Sequence, residues 1–305
     1  MFCPLKSPLA AGRFFMKPKV LLNYAILCLI WGTTWIVLKK SLMDGTPPLF
    51  GSGIRFFVAG LILWAVIFYK KDLPPFTSQA MRIYFQFGIM NLTISYGLTY
   101  WATQFIYSSL SSLIWSGFPL CVAVFSYFML PDEILTKKKI LSLILGTSGA
   151  LLILKEGMNF AENQVLFGII MVMIAVIIAS YPSVYLKRYS NVVSSLHLNA
   201  MSQLMAGILL LSVSFFFESN QQMNWSRYNI FALVYLTGPG SLVAWFIYIW
   251  LYSHISMAQI SYIAFFPPVL ASILGWIILD ETLTVLAIFG GGLVILGAVL
   301  VNLNE

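Results

Sequence analysis

Residues 266–284 read FPPVLASILGWIILDETLT, an apolar run that opens on a double proline and closes on two acids and a threonine. Upstream, residues 118–136 read FPLCVAVFSYFMLPDEILT. An ungapped offset of 148 lays Phe118, Pro119, Ala123, Asp132, Glu133, Leu135 and Thr136 on Phe266, Pro267, Ala271, Asp280, Glu281, Leu283 and Thr284. The same offset lays Lys39-Lys40 on Lys187-Arg188, Tyr100 on Tyr248, and Gly149-Ala150 on Gly297-Ala298. The chain uses one design twice.

Composition says where that design lives. Hydrophobic residues make up 60% of the chain and charged residues 9%, against roughly 45–50% and 25% in soluble domains. Such a chain cannot clothe itself for water and belongs in a bilayer, where a run of about 20 apolar residues crosses as a helix because no backbone group finds water there. The expected fold is therefore all-α and polytopic, with ten transmembrane helices at about 20–39, 49–69, 82–102, 107–130, 138–154, 165–186, 195–217, 229–252, 257–279 and 284–303. The borders between the third and fourth and between the eighth and ninth carry few polar residues. Domain limits follow: an N-terminal tail over 1–19 and five-helix repeats over 20–155 and 165–303. The first apolar run has no small-residue cleavage pattern after it and is read as a retained helix.

Five is odd, so the second copy enters the membrane from the opposite side. That makes an inverted repeat, an arrangement whose solute sites lie near the midplane between the halves. Lys and Arg set the orientation. With the N-terminus inside, the cytoplasmic segments hold 12 of the 17 basic residues, the opposite side holds 4, and Arg55 lies within a span. Both termini are expected in the cytoplasm of a cell with this protein in its inner membrane. The net charge of +7 then reflects topology and attraction to anionic lipid, with no need of a nucleic-acid partner. Cys28 and Cys121 fall inside spans, so no disulfide framework is implied.

WGTTW at 31–35, an Arg early in the second span, and a Pro-centred helix followed by DE.LT, in doubled order, resemble the EamA branch of the drug/metabolite transporter superfamily. The resemblance runs from about residue 20 to the end. It implies a ten-helix carrier with both ends cytoplasmic that moves small metabolites such as amino acids and their relatives. The PDE of this chain departs from the Gly that many members have before the Glu.

Several side chains are candidates for the solute site. Asn91, Ser95 and Tyr96 in the third span, Ser112, Trp115 and Ser116 in the fourth, Tyr181 in the sixth, and Tyr262 and Phe265 in the ninth lie near mid-depth. Such a wall suits an amphipathic solute. Arg55 is the one cation set well inside a span; it either meets a substrate carboxylate or bonds helix-end carbonyls, and the resemblance implies an Arg here across unlike substrates. Trp31 with Gly32, Thr33 and Thr34 reads as close helix packing, as does FGGGLVILGA at 289–298.

Helix breakers mark hinges: Pro119, Pro182, Pro267-Pro268, and Gly238, Pro239 and Gly240 in the eighth span. Asp132, Glu133, Asp280 and Glu281 stand at helix ends before Thr136 and Thr284, which are placed to cap the next helix. Their roles are helix-end chemistry or gating at the two mouths.

None of the ten acidic residues falls deep in a span, which favours export down a gradient or exchange over a proton-coupled antiporter. A membrane transferase is the alternative of another class. It would need an acid, base or metal set, and neither CxxC nor HExxH occurs. No cofactor or metal is expected; the partners are a small-molecule substrate and the lipid bilayer.

Overall fold

The structure is a computed structural model that describes residues 17–130, 136–154, 163–278 and 285–302. The secondary structure of the described residues is all helix, with no strand among them. In order they form α1 (Pro18–Met43), α2 (Pro48–Lys70), α3 (Ser78–Phe85), α4 (Tyr96–Ala102), α5 (Ser108–Trp115), α6 (Phe118–Met129) and α7 (Lys137–Leu154). The second half holds α8 (Asn163–Arg188), α9 (Ser195–Phe217), α10 (Arg227–Thr237), α11 (Ala244–Leu251), α12 (Met257–Ser261), α13 (Phe266–Ile278) and α14 (Val285–Asn302).

Three joints are not breaks. A π-helical turn, Gln86–Ser95, joins α3 to α4, a second, Gly238–Val243, joins α10 to α11, and a 3₁₀ turn, Tyr262–Phe265, joins α12 to α13. Real interruptions fall at 103–107 and 252–256, so the two faintest borders in the sequence are loops.

Among the described residues six helices are long and apolar enough to cross a membrane: Pro18–Met43, Pro48–Lys70, Leu110–Met129, Gln164–Arg188, Ser195–Phe217 and Arg227–Leu251. The chain is a multi-pass membrane protein. The other expected spans fall on the rod 78–102, on α7, on α12 with α13, and on α14.

The surfaces of α9 show how the bundle is organised. Asn199, Ser202, Gln203 and Ser214 are buried, while Ile208, Val213, Phe215, Phe216 and Phe217 are exposed. Polar groups turn inward to find partners and apolar ones face out, the arrangement lipid demands.

Small residues set the closest approaches. The most extensive packing joins α2 to α9, then α7 to α14. A β-carbon on Gly60 would lie 2.6 Å from the backbone N of Leu204, and one on Gly207 would strike the backbone of Phe57. On α7, Gly149 sits against the carbonyl of Gly290 in α14, which supports the packing reading of 289–298.

The ends of α2 and α9 are tied reciprocally. The buried Glu218, at the end of α9, accepts from the backbone amides of Leu49 (2.8 Å) and Phe50 (2.9 Å) and from Ser214 Oγ (2.7 Å). It thereby satisfies the first free amides of α2, whose Pro48 has none to offer. At the other end, His197 in the first turn of α9 meets the Asp72 carbonyl (2.8 Å) and carboxylate (3.3 Å). Thr136 caps α7 as expected, accepting from the Lys139 amide at 3.3 Å. Thr284, Asp132, Glu133, Asp280 and Glu281 lie outside the described residues.

Candidate functional site

A chamber enclosing about 860 Å³ of space, its open mouth included, lies between the two halves of the chain. One face of α1 supplies Trp31, Thr34, Trp35 and Leu38, spaced i, i+3, i+4, i+7 as a single helical stripe requires. The rod 78–102 supplies Asn91, Tyr96, Thr99 and Tyr100, and the fourth span supplies Trp115 and Phe118. From the second half come Ser183 of α8, Trp245 and Tyr248 of α11, and Ile260, Ser261, Ile263, Ala264 and Pro267.

The first π turn makes this wall. Five residues apart on an α-helix, Asn91 and Tyr96 would point about 140° away from each other at 100° per residue. Here the Tyr96 amide bonds the carbonyl of Asn91, five back, and both side chains reach the chamber. Widened turns of this kind cluster at functional sites. Asn91 Nδ2 faces Ser183 Oγ at 3.5 Å, and Trp115 Nε1 donates to Thr99 Oγ1 at 3.2 Å.

Arg55 holds the second π turn. It lies in α2, 3% exposed. Its Nε donates to Ser241 Oγ (2.9 Å), Nη1 to Tyr100 OH (2.5 Å) and Nη2 to the Gly240 carbonyl (3.2 Å). The guanidinium also stands 4.9, 5.5 and 5.8 Å from the rings of Phe56, Tyr96 and Tyr100, within cation–π range. Arg55 thus bonds a carbonyl within the widened turn and also lines the chamber.

Of the solute-site candidates, Arg55, Asn91, Tyr96 and Trp115 line the chamber, and so does the hinge candidate Pro267. The others do not. Ser95 and Ser112 are buried elsewhere, and Ser116 Oγ donates to the Leu113 carbonyl at 2.5 Å. Tyr181 packs on Phe125 and Tyr185 between α6 and α8. Tyr262 donates to the Lys139 carbonyl (3.1 Å), and Phe265 presses on Gly146, so both serve the contact with α7 and α14. Depth along a span does not fix the direction a side chain takes around its helix.

The hinge candidates divide too. Pro119 and Pro267 sit in the first turn of α6 and α13, where a missing N–H costs nothing. Pro182 lies within the unbroken α8 and does not interrupt it. Gly238, Pro239 and Gly240 open the second π turn instead of ending a helix.

Trp31 lines the chamber, although its neighbour Gly32 does pack closely, on Leu270. Sequence reasoning also missed Trp35, Tyr100, Trp245 and Tyr248. A signal existed for the tyrosines: Tyr100 and Tyr248 coincide under the 148-residue offset, and both line the chamber.

A polytopic helical bundle with an interior chamber defines a class of membrane protein, and comparison narrows it. The model of the EamA-like transporter family matches residues 19–155 and again 166–303, and the chain belongs to that family. It is 30% identical over 286 residues to the uncharacterized transporter YoaV of Bacillus subtilis (strain 168), covering 92% of this chain and 95% of that one. It is 28% identical over 282 residues to the uncharacterized inner membrane transporter YedA of Escherichia coli (strain K12), covering 92% and 89%. A solved crystal structure superposes with a TM-score of 0.75 over 94% of this chain and 97% of its own at 19% identity, a likeness of fold.

Proposed function

We propose that the protein is a secondary transporter of ten spans, built as two inverted five-helix repeats. It carries small amphipathic metabolites, such as amino acids or their relatives, through the chamber by alternating access. Both termini are cytoplasmic in this reading, as the basic residues favour. The observation that carries the proposal is a chamber walled by both halves, with a matching π turn in each half. Under the 148-residue offset the Tyr96-to-Asn91 backbone bond corresponds to Ala244-to-Pro239. Likewise Thr93 Oγ1 donates to the Gly88 carbonyl (2.8 Å) as Ser241 Oγ donates to that of Leu236 (2.9 Å).

Two lysines extend the correspondence. Lys39 Nζ bonds the carbonyls of Thr103 (2.8 Å), Gln104 (3.3 Å) and Ile106 (3.0 Å), and Lys187 Nζ bonds those of Tyr252 (2.5 Å) and Ile255 (2.7 Å). Each ammonium closes the C-terminal end of its half's third rod, where cations are favoured. Movement is export down a gradient or exchange. In support, the described acids are engaged away from the chamber: Asp44 with Ser226, Asp72 with His197, and Glu218 with α2.

The test is uptake and efflux by the purified protein in liposomes. A panel of amino acids, nucleoside-like compounds and cationic drugs is measured with and without a pH gradient. Transport without the gradient that falls in Tyr96→Ala and Trp115→Ala supports the proposal. Unchanged affinity and rate in both variants defeat the chamber assignment, and strict dependence on the gradient defeats the uncoupled mode. Cysteines at positions 40 and 188 should label from opposite compartments.

A further inference from the structure

The chamber wall is electrically one-sided. Among the described residues its one charged group is Arg55, and no acid reaches it. The guanidinium carries five N–H donors, and its hydrogen-bond partners are a tyrosine hydroxyl, a serine hydroxyl and a carbonyl. All are neutral, so a positive charge out of water is solvated by dipoles and ring faces and matched by no anion among the described residues. Further donors stand nearby: the indole N–H groups of Trp31 and Trp245, whose rings line the chamber, are buried with no hydrogen-bond partner. Around them Trp35, Tyr96, Trp115 and Tyr248 supply flat apolar surface.

Resting on the reading of this chamber as the solute site, we propose that it selects amphipathic carboxylates over their neutral and cationic analogues. The carboxylate accepts from Arg55 and the apolar body lies among the tryptophan and tyrosine rings. Two features make the choice. A carboxylate can take a fork of donors from one guanidinium in a charge-assisted pair, which an amide matches only with neutral acceptors. A cationic head meets like charge in a low-dielectric enclosure, and the rings beside that charge, Tyr96 and Tyr100, already face Arg55.

The experiment compares three ligands with one skeleton, 3-phenylpropionate, 3-phenylpropanamide and 3-phenylpropylammonium, by equilibrium binding to the purified full chain in detergent, with empty micelles as the control. In the wild type the carboxylate is expected to bind about 10-fold tighter than the amide, and the ammonium weaker than either. Arg55→Gln should bring carboxylate and amide within about twofold, and Arg55→Lys should keep a reduced carboxylate preference. The wild-type ratio stands even where a variant fails to fold. Equal binding of carboxylate and amide, or tightest binding of the ammonium, with all three weakened by Trp115→Ala, overturns the charge selection and leaves the chamber reading intact. Absence of binding by all three, or binding that Trp115→Ala leaves unchanged, defeats the chamber reading and this proposal with it.

Discussion

The π turn at Gln86–Ser95 and the one at Gly238–Val243 share their backbone bonds and differ in what faces them. Arg55, in α2, reaches the second turn and ties down Gly240 and Ser241. Under the offset its counterpart in α9 is Gln203, which reaches no partner in the first turn. Its Nε2 donates to Asn199 Oδ1 at 2.8 Å, and its buried carbonyl oxygen has no partner. The backbone bonds of the two turns have stayed alike because both must satisfy the same hydrogen-bonding demand out of water. The charge in the chamber has not, because one side chain sets it.

Predictions that break or sharpen this comparison begin with packing. Gly60→Val and Gly207→Val each drive a side chain into the facing backbone of the α2–α9 pair. Both should cost about 3 kcal/mol or more, read as loss of monodisperse protein on size-exclusion chromatography. A large effect in one alone would show the pair to be unequal.

The side chains facing the turns should behave oppositely. Arg55→Met leaves the Gly240 carbonyl and Ser241 without their donor and is expected to lower stability by about 2–3 kcal/mol, seen as a lower thermal midpoint in detergent. Gln203→Leu removes an unpartnered oxygen together with the donor to Asn199 Oδ1 and should cost about 1 kcal/mol, less than the Arg55 change. Equal losses would remove the asymmetry.

The helix-end carboxylates come next. Glu218→Gln, at a residue 4% exposed, should cost about 1–2 kcal/mol by thermal unfolding. Asp72→Asn, whose carboxylate is 59% exposed in its contact with His197, should lie near the noise. The two lysines should be alike: Lys39→Met and Lys187→Met are each expected to cost about 1 kcal/mol, and similar shifts in thermal midpoint would support their equivalence.

Most of the fold was legible because membrane insertion is a local, additive matter of apolar length. The six long helices coincide with expected spans, and the loops at 103–107 and 252–256 fall at the two faintest borders. The site was half legible. Tyr96, Trp115, Asn91 and Arg55 share the chamber, whereas Tyr181, Tyr262 and Phe265 turn to other helices. Mid-depth can be counted along a chain, but rotation about a helix axis is set by what packs against it. Asn91 and Tyr96 share a wall through a π turn that no spacing rule for α-helices anticipates.

By itself the sequence determined the solvent this protein lives in and the reuse of one design, since both are written in composition and in an ungapped offset. Only the tertiary structure decided that Trp31 faces the chamber, that Arg55 grips the second π turn, and that its counterpart Gln203 does not grip the first. The reason is that a helix finds its place in lipid by summed transfer energy, while the direction of each side chain depends on contacts between rods far apart in the chain, set by close glycine approaches and by two widened turns.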